Sequence, residues 1–310
     1  MTSIVRTLRA VDALTIVFSF FLLFLSLLFA AKIHEWGYLV VINIFSTLVI
    51  TVLAYSSKKN AALRFMHDWY PVPVIFLIFK EVYVVIQSLG LHDLDATLIS
   101  IDRAIFHVDP TVWLSQFTTP FLTELLQLAY VSYYFLMITL GVEVLLKRER
   151  RDFSFVIFTI TYGFYLSYLG YLAFPAVGPR FTLHSFGSLD HELPGLFLTE
   201  PLRNFINAGE SIPRDAVNPI ALAQRDAFPS GHAQMTLIVM FLAYQFRLRS
   251  RWPLYIMGTL LIISTVYLRY HYVVDLLGGA LFMVFTVWSA PKIFAWWERR
   301  TASSISSMRE

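Results

Sequence analysis

The sequence predicts an all-α fold: a polytopic integral membrane helical bundle with about eight transmembrane helices. Composition is the first observation behind this. The 310 residues are 57% hydrophobic and 15% charged, with a mean hydropathy of +0.63. Water-soluble domains sit near 45–50% apolar and about 25% charged, so a soluble enzyme built on one large core is excluded. The second observation is a series of eight apolar stretches, most near the ~20 helical residues that cross ~30 Å of hydrocarbon. The third is that basic clusters fall on alternate connections between those stretches, the pattern the positive-inside rule produces.

The stretches run over residues 11–31, 36–55, 70–91, 121–146, 153–174, 232–249, 252–268 and 273–291. The first follows Arg6 and Arg9. It is longer than a signal-peptide core, and Leu28 and Phe29 spoil the small-residue cleavage pattern around Ala30 and Ala31, so it reads as a retained helix. The second ends at "SSKKNAALR". The third holds adjacent Lys80 and Glu81 about ten residues in, where each ionisable group costs about 2.5–3.5 kcal/mol and faces protein or a polar cavity. Neighbours on a helix point ~100° apart, so the two do not simply pair with each other. One of them reaches an active-site cavity, or they make an interhelical bond with Glu124 or a tyrosine; the second reading is preferred. Residues 92–120 carry apolar positions at helical spacing among acids, which predicts a helix lying on the outer membrane surface. The fourth stretch ends at "KRERR" and the fifth at "FPAVGPRF". Residues 175–230 are too long for a bare connector and predict a cap over, or lining of, a site. The sixth stretch opens at "FPSGH", the seventh is short, and the eighth ends at "WWERR". The Ser-rich tail "TASSISSMRE" is expected to be disordered.

This divides the chain into an N-terminal helix pair over 1–68, a catalytic helical core over 69–295 and a cytoplasmic tail over 296–310. The basic side is cytoplasmic, which leaves the 175–230 segment extracytoplasmic; in a bacterium the membrane would be the inner one. The net charge of +3 identifies no partner, and nucleic acid is not expected to be one. Cysteine is absent, so there is no disulfide framework and no thiolate metal site. No His or carboxylate cluster has ligand spacing, so neither a metal nor another cofactor is expected.

Topology brings three pieces to the same outer face: Phe174–Phe181, Phe228–His232 and Tyr267–Asp275. His271 and Asp275, four apart, share a helix face. A carboxylate accepting the Nδ1 proton leaves Nε2 with its lone pair outward, a nucleophile with its orienter. Arg180 and Arg269 carry planar forks that suit phosphate oxygens. Ser230 and Gly231 sit where a helix begins, and helix N-termini attract anions. His232 follows them and is placed to protonate a leaving oxygen. Singly, these features are interfacial anchors, a turn, a helix cap and an i,i+4 tie. Together, on one face, they point to phosphoryl transfer. Arg225 and Asp226, just before the turn, form a local ion pair or contact a headgroup.

The same residues carry a resemblance. The chain resembles the type 2 phosphatidate phosphatase superfamily, whose pattern is Lys-x6-Arg-Pro, Pro-Ser-Gly-His and Ser-Arg-x5-His-x3-Asp. The middle motif is complete, and His271 to Asp275 matches His-x3-Asp. The resemblance implies a phosphohistidine on His271, Asp275 as its orienter, His232 as acid, and Arg180, Ser230 and Gly231 as phosphate ligands. Two family cations are missing: Ala173 stands at the Lys position and Thr265 at the last Arg, with Arg269 two residues before the histidine as the one replacement. The "GPRF" and "YLRYHYVVD" forms, with "LTELLQLAYVSYY", resemble the inositol phosphorylceramide synthase branch, an inositolphosphotransferase. The expected partners are therefore a lipid phosphate or phospholipid substrate and, for transfer, a lipid alcohol acceptor. A non-enzymatic lipid-binding or transport protein ranks last, because no inverted repeat is visible.

Overall fold

Apolar residues run almost unbroken through the long segments, so every backbone amide there must be satisfied within its own segment, which makes them helices. The computed structural model describes residues 7–213 and 216–306, with side chains up to residue 302; Arg6 lies outside the described residues. The helices are α1 (Ala10–Leu28), α2 (Trp36–Ser56), α3 (Ala61–Trp69), α4 (Pro71–Leu89), α5 (Asp95–Phe106), α6 (Pro110–Leu114), α7 (Pro120–Val131) and α8 (Tyr133–Lys147). There follow α9 (Arg150–Ala173), α10 (Pro179–Thr182), α11 (Leu189–Glu192), α12 (Thr199–Gly209), α13 (Pro219–Leu222), α14 (Gly231–Gln245), α15 (Arg251–Tyr267) and α16 (Val273–Ser306). Among the described residues there is no strand, only an isolated bridge between Ala176 and Asp226.

The all-α membrane bundle is as expected, but the span count differs. Among the described residues five helices are long and apolar enough to cross: α1, α2, the run Ala61–Leu89, α9 and α16 over Val273–Ala302. The α7–α8 pair, bent by 46°, passes the same test as a pair and brings the count to six where it is one span. The sixth and seventh apolar stretches form α14 and α15, of 15 and 17 residues, which reach only about 22 and 26 Å at ~1.5 Å per residue. Their ends are pinned. Ser230 caps α14, its Oγ accepting the Ala233 N–H at 3.2 Å. In the turn between the two helices, Glu143 accepts the amides of Arg249 and Ser250 at 2.9 and 3.1 Å. The tail also departs from expectation: α16 continues through Ser306, since Glu298, Arg299, Arg300 and Ala302 are good helix formers. Residues 307–310 lie outside the described residues.

The chain packs into two units. One comprises Met1–Gly90, Val144–Leu166 and Phe285–Glu310. Here α1 packs on α2, and Phe18 stacks on Tyr165 with ring centroids 4.4 Å apart. Buried Asp12 accepts hydrogen bonds from the Tyr70 hydroxyl at 2.8 Å and the Arg9 amide at 2.7 Å, with His67 Nε2 at 3.0 Å. Asp68 pairs with Arg9 and Arg150. Buried Glu81 accepts from the Asn43 amide at 2.5 Å, an interhelical bond to α2. Lys80 is half-buried on α4.

The second unit comprises Leu91–Glu143 and Ser167–Val284. In it α15 packs between α14 and α7, and α12 lies on α7. This unit contains all three of the pieces that the topology brings together. Helix α5 belongs to it as well. It buries one face, with Asp95, Leu98 and Asp102 inside, and exposes Ile101, Ile105 and Phe106.

Candidate active site

Backbone hydrogen bonds tie the three pieces together. The Ala227 amide donates to the Ala176 carbonyl at 3.1 Å, joining the second piece to the first. The Arg180 amide donates to the Arg269 carbonyl at 3.0 Å, joining the first to the third, and the Ser230 amide donates to the Asp275 carbonyl at 2.9 Å, joining the second to the third. Gly178 makes the close approach of the first piece to the third possible. Its φ is +95°, and a Cβ there would stand 2.7 Å from the Tyr270 carbonyl, so only glycine allows this approach.

The third piece is fixed by the end of α15. Arg269 takes a left-handed φ of 67°, and the Thr265 carbonyl accepts the amides of Tyr270 and His271 at 2.9 and 3.0 Å. That is a helix C-cap with a left-handed residue after the last turn. It delivers His271 into a buried position where its Nδ1–H donates to the Ala227 carbonyl at 2.9 Å. A carbonyl can only accept, so Nδ1 carries the proton and Nε2 keeps its lone pair. Asp275 Oδ2 lies 3.4 Å from the same Nδ1 and accepts the Tyr272 amide at 2.8 Å. The carboxylate expected to orient the ring is thus the more distant of two acceptors. Burial holds His271 down to about 4, opposed by the negative charge of Asp226 and by the Ala227 carbonyl. The ring is neutral at ordinary pH.

His271 Nε2 faces His232 Nδ1 at 3.5 Å. The His232 ring lies against Tyr130 and Tyr133, with centroids 4.6 and 4.4 Å away. Buried Arg180 is held flat between Phe181 and Tyr270, its guanidinium carbon 4.7 Å from each ring centre, and it forms an ion pair with Glu210. Its charge acts on both histidines. Asp226 is half-buried; burial and the neighbouring Glu210 raise it to about 6, against the pull of His271 and Arg180.

A family model described as the PAP2 superfamily, the type 2 phosphatidate phosphatases, matches residues 96–289, well over half the chain and all three pieces. The chain belongs to the PAP2 superfamily. That membership supports a phosphatase-type lipid phosphoesterase. Comparison with curated proteins and with solved structures found no match.

Not every predicted residue of this PAP2 site meets the histidines. The guanidinium of Arg269 is committed to Glu192 and to the Ser115 hydroxyl, the latter at 3.1 Å. Arg225 does not pair with Asp226; its Nε donates to Asp93 at 2.9 Å. Ser230 is fully buried, with its hydroxyl spent on the α14 cap. Gly231 packs against the Tyr171 hydroxyl, and its carbonyl accepts from Tyr133 at 3.4 Å. Among the described residues no group of three or more His, Asp or Glu side chains is arranged to hold a metal.

The PAP2 site also rests on residues that motif reading missed. Asp95 of α5 accepts the amides of Val177 and Gly178 at 2.9 and 2.8 Å and the Tyr272 hydroxyl at 2.7 Å. One carboxylate therefore holds the first and third pieces. Asp102, two turns on, accepts the amides of Val273 and Val274 at 2.9 and 2.8 Å, capping α16 from outside. Burial raises Asp102 and these two amides oppose the rise. Their spacing of seven, which places two acids on one helix face, was the available signal. Glu210 and Tyr130 carried none.

Proposed function

We propose that this PAP2 protein transfers phosphoryl groups on membrane lipids through a phosphohistidine at His271, on the extracytoplasmic face. The observation that carries the reading is the pair of facing nitrogens: a neutral His271 locked by the Ala227 carbonyl with Nε2 turned towards His232. Admitting phosphorus requires the His232 ring to turn aside. Nε2 then attacks in line, the bond from phosphorus to the lipid oxygen breaks, and its electron pair leaves with that oxygen. His232 gives the departing oxygen a proton. Arg180 neutralises the equatorial oxygens, the electrostatic part of such a reaction. In the second half the attacking hydroxyl surrenders its proton to His232 and the N–P bond breaks, as reversibility requires. Asp275 supports the charge that develops on His271. The basic clusters on the alternate connections support the assigned face.

A second reading is favoured by one observation. Two carboxylates, Glu210 and Asp226, stand around Arg180 and His271. They repel the dianion of a phosphomonoester more than the monoanion of a diester, and they accept hydrogen bonds from a hydroxyl-rich headgroup. This fits an inositol phosphorylceramide synthase-like transfer, in which a lipid alcohol replaces water as acceptor.

The test is product analysis by mass spectrometry on phosphatidate, polyprenyl diphosphate and phosphatidylinositol, with and without ceramide, beside His271→Ala. Free phosphate from the first two, absent in the variant, is expected for the phosphatase. Diacylglycerol that appears only with an acceptor is expected for the transferase. Full turnover by His271→Ala would remove the proposed nucleophile.

A further inference from the structure

The strongest unexplained feature of the second unit is a run of three consecutive exposed apolar side chains in the 175–230 segment. Phe197 is 85% exposed, Leu196 50% and Leu198 48%. In water such a run is unfavourable. Its position, however, is set by one residue of α7. Glu124 is buried on the second turn of that helix, and its carboxylate accepts the amides of Leu196, Phe197, Leu198 and Thr199 at 3.1, 3.2, 2.7 and 2.9 Å. The Thr199 hydroxyl adds a fifth hydrogen bond at 2.6 Å. Gly195 permits the wrap, because a Cβ there would lie 2.9 Å from the Glu124 carboxylate and would strike Thr199.

This nest fixes depth. Helix α7 is the first half of the apolar α7–α8 pair. Thr123, next to Glu124, meets the Tyr267 hydroxyl at 3.0 Å on the last turn of α15. A loop clamped to Glu124 therefore lies at the level of the first turns of a membrane-crossing segment, not above it. A carboxylate at that depth is costly unless fully hydrogen-bonded, and the amides at the start of α12 meet that need. Phe121 and Leu125, on the turns beside Glu124, are also exposed and continue the apolar surface. Beside the loop is a cleft of about 450 Å³ lined by Asp190, Arg203 and Asn204 together with Leu193, Leu196 and Phe197. The loop thus sets exposed apolar side chains beside charged and polar ones, the character of an element lying in a membrane interface.

We propose that Leu196, Phe197 and Leu198 form a finger inserted into the lipid leaflet on their side of the membrane, with phospholipid acyl chains as its partner. The chain has no cysteine, so Phe197→Cys supplies a single site for a nitroxide label. In phosphatidylcholine vesicles, collisions of that label with oxygen are expected to exceed those with a water-soluble nickel chelate several-fold. The same label at Val217, a fully exposed loop position, should show the reverse. Glu124→Ala should mobilise the Phe197→Cys label and move its ratio towards the Val217 value; if that variant does not fold, labels at Leu196 and Leu198 repeat the depth measurement. A Phe197 label that behaves like the Val217 label overturns the proposal. So does spin–spin broadening that disappears on dilution with unlabelled protein, which would make a second copy the partner. None of these readings depends on the reaction catalysed.

Discussion

Replacing Asp275 with asparagine separates two ways of supporting a nucleophilic histidine. If the carboxylate held the tautomer, its loss would cost about 10⁴-fold in kcat, as in a serine-protease triad. Here the Ala227 carbonyl accepts the Nδ1 proton at 2.9 Å, while Asp275 stands at 3.4 Å, beyond the usual N–H···O range of about 2.7–3.2 Å. The tautomer should survive in Asp275→Asn. What is lost is attraction for the positive charge that grows on the ring as Nε2 attacks. Unit charges ~4 Å apart in an effective dielectric of ~20 attract by about 4 kcal/mol. With half a charge developed in the transition state, the loss is about 2 kcal/mol, or about 30-fold in kcat. Steady-state kinetics on whichever lipid proves to be substrate should show that fall in kcat with KM little changed. A loss near 10⁴-fold would refute the carbonyl lock, and an unchanged rate would remove Asp275 from the reaction.

The remaining predictions concern α5 and pH. Asp102→Ala leaves two part-buried amides of α16 without their acceptor, at up to about 1–3 kcal/mol each; it should lower the thermal midpoint in detergent and reduce kcat together, with Asp102→Asn intermediate. An Asp102→Ala protein with wild-type midpoint and rate would mean that α16 is positioned without it. Because the folded value of His271 is about 4, below the ordinary 6.5, the ring stays neutral and nucleophilic until the pH falls to about 4. The same depression costs stability as pH falls from 6.5 to 4, where the unfolded chain binds a proton that the folded chain refuses. Measured on a phosphodiester lipid in Asp226→Asn, where the titration of Asp226 near 6 does not contribute and its charge no longer raises His271, the acid limb of kcat/KM is therefore expected at or below pH 4. A limb at 6.5 would contradict the burial of His271.

Chemistry that lies close together in the chain was readable from residue order. Ser230 as the cap of α14 follows from Pro-Ser-Gly before an apolar run; His271 and Asp275 were expected on one helix face, but α16 begins at Val273, so His271 stands before the helix and meets Asp275 at 3.4 Å across its first turn. The membrane class followed from composition, because hydrocarbon demands apolar length whatever the packing. Arg269 shows where short spacing misleads. A left-handed φ of 67° reverses the chain at that residue, and its side chain goes to Glu192 and Ser115 although it stands two places from His271. The turn between α14 and α15 is held by Glu143, over a hundred residues away in sequence, a tie that residue order does not show.

Residue order alone therefore carried the all-helical membrane class and singled out the three pieces with His232, His271, Asp275 and Arg180. Folding in three dimensions assigned the Nδ1 proton of His271 to the Ala227 carbonyl, placed Glu210 beside Arg180, and gave Asp95 and Asp102 their hold on the pieces. The difference is physical. Periodicity and hydropathy act between neighbours and are written in local order, whereas a buried carboxylate takes the amides that packing brings to it, and those amides come from distant parts of the chain.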